Sequence, residues 1–487
     1  MRIEQLQPTM SEANAFDVCI VGGGPGGLVA LSAFIEPYSL DQLAASNHSR
    51  AATAHKMVKS DCPRVCVVDP EPWLNTWHRR FAALDIKWLR SPMGAHPDLF
   101  DKNSMLAFAH NQDRNRELLD SGVVNKDLRK LQETAAGLWK LPSNKLFEDF
   151  CEDLAVRLPH TFVRSKAASI QGNDGDFSVG LEDGRKLSAK TVVLALGVPG
   201  PAAVPPALAD VPTSLMFHSD FELGSRLKEL DARKHVMVIG GGLTAVQVAQ
   251  LALKKGCRVM LVSRRPLTTR HFDVNETWFD PRKANGHHFE FFERPIEERL
   301  KSIKAARGGG SVPPMYMKDI QEAEATGQLL RKVGEVQLHA VHDKAVDVMV
   351  DGKVYRFDLV VNACGHRPDC QQLPVIQELL KSSPVTTVGG FPQLSQYLQW
   401  GDFKQLFVIG ALASLQVGPD AGNLMGLRRA AQIIANTMGV REWLKETKSM
   451  KGNIRGNRFD ALLSDSDSEE STASSRESHP QRREADS

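Results

Sequence analysis

Short apolar runs that end in glycine recur along the chain. Residues 15–20 form one such run. It passes into Val21-Gly22-Gly23-Gly24-Pro25-Gly26-Gly27 and then into a helical stretch over 28–34. An unbroken apolar run of this length predicts a strand buried on both faces, and the glycines predict a tight turn into the helix. The next run, Val65-Cys66-Val67-Val68, is a second strand that ends on Asp69. The pattern then repeats. Val236-Met237-Val238-Ile239 leads into Gly240-Gly241-Gly242-Leu243-Thr244-Ala245, a helix continues over 246–253, Lys254-Lys255-Gly256 closes it, and 258–262 is the next strand. Cations followed by glycine are what a helix C-terminus favours. Each copy also has a closing segment. Residues 177–181, an Asp183-Gly184 turn and a strand over 191–197 close the first. Val346–Val350, an Asp351-Gly352 turn and a strand over 358–365 close the second. Asp-Gly between apolar runs is a hairpin signal. Two units of one plan are therefore expected.

Composition narrows the class. Of 487 residues, 42% are hydrophobic and 24% charged, as in an ordinary globular protein. At roughly 100–200 residues per domain, two to four domains are expected. Sixty Lys and Arg against 58 Asp and Glu leave a net charge of +2, which argues against a nucleic-acid partner. No apolar run approaches the roughly 18–20 residues of a membrane span. The polar, acid-bearing first 16 residues fit neither a signal nor a transit peptide. Seven cysteines stand at 19, 62, 66, 151, 257, 364 and 370 with no CxxC pair, so neither a metal site nor a flavin-linked disulfide is expected. They read as reduced thiols in a cytoplasmic protein. Residues 36–63, rich in Ala, Ser, Asn and His, read as an insertion before the second strand. Residues 464–487, rich in Ser and acids, read as a disordered tail. That tail is either a plain solvated segment or a target for an acid-directed kinase.

The glycine motifs carry the chemistry. Glycines at 22, 24 and 27, with Gly26 between them, let backbone N–H groups approach a pyrophosphate at a helix N-terminus, and Asp69 is placed for ribose hydroxyls. In the second copy Gly240, Gly242, Thr244 and Ala245 form the turn, and Ala245 still permits close helix–strand packing. Where an NAD site would have an acid, the chain reads Ser263-Arg264-Arg265. Two guanidiniums and a hydroxyl attract a 2′-phosphate, which predicts NADPH; the alternative is a pair of surface arginines. Two such sites imply hydride transfer from NADPH to FAD. The expected fold is α/β with two Rossmann-like dinucleotide-binding domains: a discontinuous FAD domain (14–225 and 356–445), an inserted NAD(P) domain (230–355), and a linker and tail (446–487).

With these motifs in place, the chain resembles the two-dinucleotide-domain flavin monooxygenases, and within them the N-hydroxylating lysine and ornithine monooxygenases. The resemblance rests on Trp77-His78 after the first ribose acid, Ile86-Lys87-Trp88-Leu89 with Ser91-Pro92, His218-Ser219 between the halves, and Phe272, Val274-Asn275-Glu276 and Phe279-Asp280-Pro281. It implies that Trp77, His78 and Gly410 border the flavin, and that Lys87 and Asn275 bind substrate. Alternatively, Lys87 is a solvated lysine and Asn275 caps a turn or helix. Trp73, Trp77, Phe81 and Trp88 are either the wall of a flavin pocket or plain core. Ala82 stands where the family has a glutamine near the flavin, and Val417 where it has a ligand-facing serine. The implied activity is NADPH-dependent, through a flavin hydroperoxide that uses dioxygen to hydroxylate a small nucleophile such as the side-chain amine of lysine or ornithine. No catalytic side chain or metal is needed, and self-association stays open. The alternatives are an NADPH oxidase or reductase without hydroxylation, and a catalytically silent FAD- and NADPH-binding regulator.

Overall fold

Strand pairing gathers the predicted runs into two main sheets. The computed structural model describes residues 14–35, 62–120, 139–197, 200–220, 222–231, 234–278, 280 and 283–439. Most of the insertion, Phe279, Pro281 and the tail lie outside the described residues.

In the first sheet Ala15–Val21 is central. It pairs in parallel with Val65–Asp69 on one side and Lys186–Leu194 on the other. Thr161–Arg164 extends one edge. On the other, Leu406–Val408 pairs in parallel with the C-terminal half of Lys186–Leu194, and the antiparallel hairpin of Ala167–Asn173 and Asp176–Leu181 pairs with its N-terminal half. The helix Pro25–Ile35 is buried along almost its whole length because it lies between this sheet and the helix Leu424–Thr437. That position explains why it reads as uniformly apolar rather than amphipathic.

The second sheet is entirely parallel, in the order Leu329–Val333, Arg258–Ser263, His235–Ile239, Leu359–Asn362, Met216–His218. Alternate residues of a strand face opposite sides. Val236, Val238, Leu261 and Val361 accordingly pack with Val246, Ala249 and Ala252 of the helix Leu243–Lys254. Met237, Ile239, Met260 and Val262 pack with Val346, Val348, Val350 and Phe357. Both faces are covered, which is the reason these strands are continuous apolar runs.

Two features differ from the expectation. Met216–His218 and Leu359–Asn362, which the division at 225 and 356 leaves with the first domain, pair in the second sheet. The Asp351-Gly352 turn joins Val346–Val350 to Lys353–Phe357 rather than to the closing strand. With Val336–Val341 these make a separate antiparallel meander. Leu359–Asn362 cannot join that hairpin because both of its edges are already paired. Of the seven cysteines, all reduced, five are buried, Cys62 is half-buried and Cys364 is exposed.

The helix Leu424–Thr437 is tied to residues 96–99 by a buried cation. Arg428 donates to the carbonyls of His96, Asp98 and Leu99. Burial, then the Arg428 charge, hold the His96 imidazole down at about 4. The unfolded chain therefore binds the proton first. Stability from a neutral His96 is complete above the unfolded value of 6.5 and is lost as pH falls toward 4. Urea titrations at pH 7 and pH 5 are expected to show a loss on the order of 2 kcal/mol from this group. A His96→Leu variant should show a correspondingly smaller pH dependence.

Candidate functional site

Each glycine turn is locked against the end of its closing strand. Gly22 has φ of +121°, and a side chain there would overlap the carbonyl of Ala195. Gly240 has φ of +154°, and a side chain there would overlap the carbonyl of Ala363. The third motif position differs. A Cβ at Gly27 would overlap the carbonyl oxygen of Gly22, whereas Ala245 is accommodated and fully buried. Gly23 donates its amide to Asp69 Oδ2 at 2.7 Å, so Asp69 lies beside the first turn as expected. Gly410, φ +91°, joins the same turn, because the positions where Gly26 and Gly410 would carry side chains both face Leu427.

At the second turn Ser263 is buried 3.6 Å from the Cβ position of Gly241. Its hydroxyl donates to the Arg265 carbonyl at 2.7 Å, so the serine orients the arginine backbone. The guanidinium of Arg265 rests on Gly309, and both Arg264 and Arg265 are exposed.

A cavity of about 1330 Å³ opens beside the second turn. One wall comes from the helix Asn75–Ala83 and from Trp88, Leu89 and Arg90; the opposite wall includes Leu243, Thr244, Gln247 and Ala363. Phe81, Ile86, Leu119 and Leu141 make part of the lining apolar. At its rim Asp220 receives Arg80 Nε at 2.7 Å and lies 3.2 Å from His366 Nε2. The His218 ring meets His366 edge-on at 4.9 Å between centroids, and its Nε2 donates to the Gly365 carbonyl. Burial pushes both imidazoles below their ordinary value. Arg79 also lines the cavity and has no ion pair or side-chain hydrogen bond among the described residues.

Other sequence candidates lie elsewhere. Trp77 Nε1 donates to Asn144 Oδ1, its ring stacks on Phe81 at 4.3 Å, and His78 Nδ1 pairs with Glu148 at 2.7 Å. Both side chains therefore bind the helix Asn144–Arg157, and neither lines the cavity. Lys87 is exposed and outside the cavity. Asn275 is exposed, and its Oδ1 accepts the Thr277 amide, which is an Asx turn. Arg79, Asp220 and His366 escape sequence reasoning because they come from three distant segments. Only His366 carried a signal, directly after the glycine that ends the closing strand.

The pyridine nucleotide-disulphide oxidoreductase family matches residues 119–278. Among solved structures, the FAD-bound cadaverine monooxygenase of Erwinia amylovora superposes with a TM-score of 0.62 at 14% identity, over 87% of this chain and 94% of that one. The ornithine N-hydroxylase of Kutzneria sp. 744 gives 0.62 at 15%, over 88% and 100%. The chain has the fold of the N-hydroxylating flavin monooxygenases. The L-lysine 6-monooxygenase of Pseudomonas syringae agrees, at 0.59 and 18% identity, over 87% and 99%. No curated protein matches the chain by sequence. No helix among the described residues is long and apolar enough to cross a membrane.

Proposed function

We propose that this chain is an FAD-dependent, NADPH-oxidising monooxygenase that hydroxylates a small nucleophile, in the first instance the side-chain amine of an amino acid such as lysine or ornithine. One observation carries the reading: the chain builds two dinucleotide turns of the same construction, each locked on the carbonyl that ends its closing strand, and Leu243 and Thr244 of the second border a large cavity. The first turn, with Gly24, Asp69 and Gly410, fits FAD; Gly24 offers an open backbone face and Asp69 a carboxylate beside it. The second turn, with Gly242, Thr244 and Arg265, fits NADPH. When bound, the two cofactors supply hydride transfer and oxygen activation. The chain's own part is to bind, orient and exclude water. Phe81, Ile86, Leu119 and Leu141 keep part of the cavity apolar, and Arg79 offers a cation to the acidic end of a ligand.

Purified protein is expected to be yellow, to bleach on NADPH and to recover under air, with hydroxylamine formed from the right amine. Colourless protein that takes up no added FAD would sink the reading. A second reading, an NADPH oxidase releasing hydrogen peroxide, is favoured by Ala82, which lines the cavity with a methyl group where a hydrogen-bonding side chain stands in the resembling family. Peroxide yield equal to NADPH consumed with every amine would select it. Charge-assisted bonds to a phosphate contribute about 1.5–3 kcal/mol each. Arg264→Ala combined with Arg265→Ala is therefore expected to raise KM for NADPH at least about tenfold. Activity with NADH should stay unchanged, as steady-state kinetics with both nucleotides will read.

A further inference from the structure

The two dinucleotide turns meet different surroundings at the same motif position. The second glycine of the motif is there so that a pyrophosphate can approach the backbone. At Gly24 the space a side chain would take has, apart from its chain neighbours, no atom of the described residues within 4 Å. At Gly242 that space holds the Cα of Gly310, 3.8 Å from the Cβ position. The contact is mutual: a Cβ on Gly310 would stand 2.9 Å from Gly242 Cα and 3.3 Å from its nitrogen. One residue earlier, Gly309 packs against the Arg265 guanidinium so closely that a Cβ there would overlap Nη2. The same loop thus lies over the second glycine of the turn and rests against the exposed cation suited to a 2′-phosphate.

The loop is held at both ends and loosely between them. The helix Ile296–Arg307 ends in Gly308, whose amide donates to Lys304. On the far side the Ser311 hydroxyl meets Arg90, and the Val312 amide donates to Thr268. Gly308, Gly309 and Gly310 have φ of +61°, +77° and +109°. Among the described residues, the one hydrogen bond made by Gly309 or Gly310 is the Gly310 amide to the Arg307 carbonyl at 3.3 Å. Glycine moves between left- and right-handed backbone regions without steric cost, so this stretch can turn while its anchors stay fixed.

We propose that Gly308–Gly310 is a gate over the second dinucleotide turn. In the conformation seen here it is closed, and a dinucleotide binds only after Gly310 swings off Gly242. This rests on the reading of that turn as an NADP(H) site. Closure then lowers the apparent affinity by the fraction of time the gate is open. Gly310→Ala adds a Cβ that clashes with Gly242 only in the closed state, at a φ that alanine disfavours. The substitution frees the site.

The test is stopped-flow mixing of the full-length, FAD-loaded protein with NADP⁺, following the flavin absorbance. For the wild type, the observed binding rate is expected to level off with rising NADP⁺ at the gate-opening rate. For Gly310→Ala it should rise linearly over the same range, with Kd lower by about tenfold. A linear wild-type rate, or a Gly310→Ala protein that binds no tighter, overturns the gate while leaving the NADP(H) site standing. Wild-type protein that binds neither NADP⁺ nor NAD⁺ overturns the site reading and the gate together. Should Gly310→Ala fail to fold by circular dichroism, the wild-type concentration dependence decides alone: levelling supports the gate and linearity overturns it.

Discussion

Gly27→Ala is expected to yield protein with less than about a tenth of the bound FAD of the wild type and a clearly lower melting temperature. The added Cβ would overlap the carbonyl oxygen of Gly22. Neither partner can give way. Gly22 is pressed on the Ala195 carbonyl, and Gly27 opens a helix buried between the sheet and the helix Leu424–Thr437. Relief requires the helix to lift from the strand, which opens the turn whose amides would face the pyrophosphate. Overpacking at such a site costs about 1–3 kcal/mol in stability, and displacement of the turn removes the anion site as well. The ratio of flavin to protein absorbance checks the first part and a thermal melt the second. Full flavin content in Gly27→Ala would show that the first turn does not hold the cofactor. The second turn provides the contrast: Ala245 occupies the same motif position there and is buried without overlap. Ala245→Gly should accordingly leave NADPH binding unchanged.

Arg90→Met is expected to destabilise the fold by about 2–3 kcal/mol, because it removes one partner of a half-buried ion pair together with charge-assisted hydrogen bonds to several carbonyls. Arg90 is a hub that joins two distant segments. Its Nε donates to the His271 carbonyl, Nη1 to Asp273 Oδ1 and the Ser311 carbonyl, and Nη2 to the carbonyls of Arg270 and Phe272 and to Ser311 Oγ. Methionine keeps the volume and leaves the Asp273 carboxylate and several carbonyls without this donor. Arg90→Lys should recover only part of the loss, because an ammonium cannot match the planar fork. Urea unfolding of both variants measures the difference. A loss below about 1 kcal/mol in Arg90→Met would mean that water replaces the guanidinium at little cost. The anchor also bears on the gate, since Ser311 is its fixed end.

Much of the fold was legible in the chain because its strands are short, apolar and punctuated. Residues 15–20 and 236–239 read as strands because burial on both faces removes polar alternation. The glycines that follow read as turns because only glycine tolerates the carbonyls of Ala195 and Ala363 at that distance. The limits of the pattern were equally physical. Asp351-Gly352 announced a hairpin correctly, but a turn signal does not name the strand that follows. Leu359–Asn362 was claimed by two parallel neighbours, so Lys353–Phe357 became the partner instead. Lys87 and Asn275 match a motif by type and spacing, yet the pattern carries no information on the direction of a side chain. One is exposed outside the cavity and the other is held in an Asx turn.

By itself the sequence determined that two glycine turns follow two buried strands, that each unit closes on a strand ending in alanine and glycine, and that the second turn is followed by arginines. These are local facts, set by backbone sterics and by a periodicity that spans a few residues. Only the tertiary structure decided which side chains face a common cavity. Arg79, Asp220 and His366 lie more than a hundred positions apart at each step and line one cavity because Asp220 and His366 follow neighbouring strands of the second sheet and the helix Asn75–Ala83 packs beside them. It also decided that Gly310, nearly seventy residues from Gly242, covers the second turn while the first stays open. Contacts of that kind depend on how separate segments pack, and no local pattern of hydrophobic and polar residues records them.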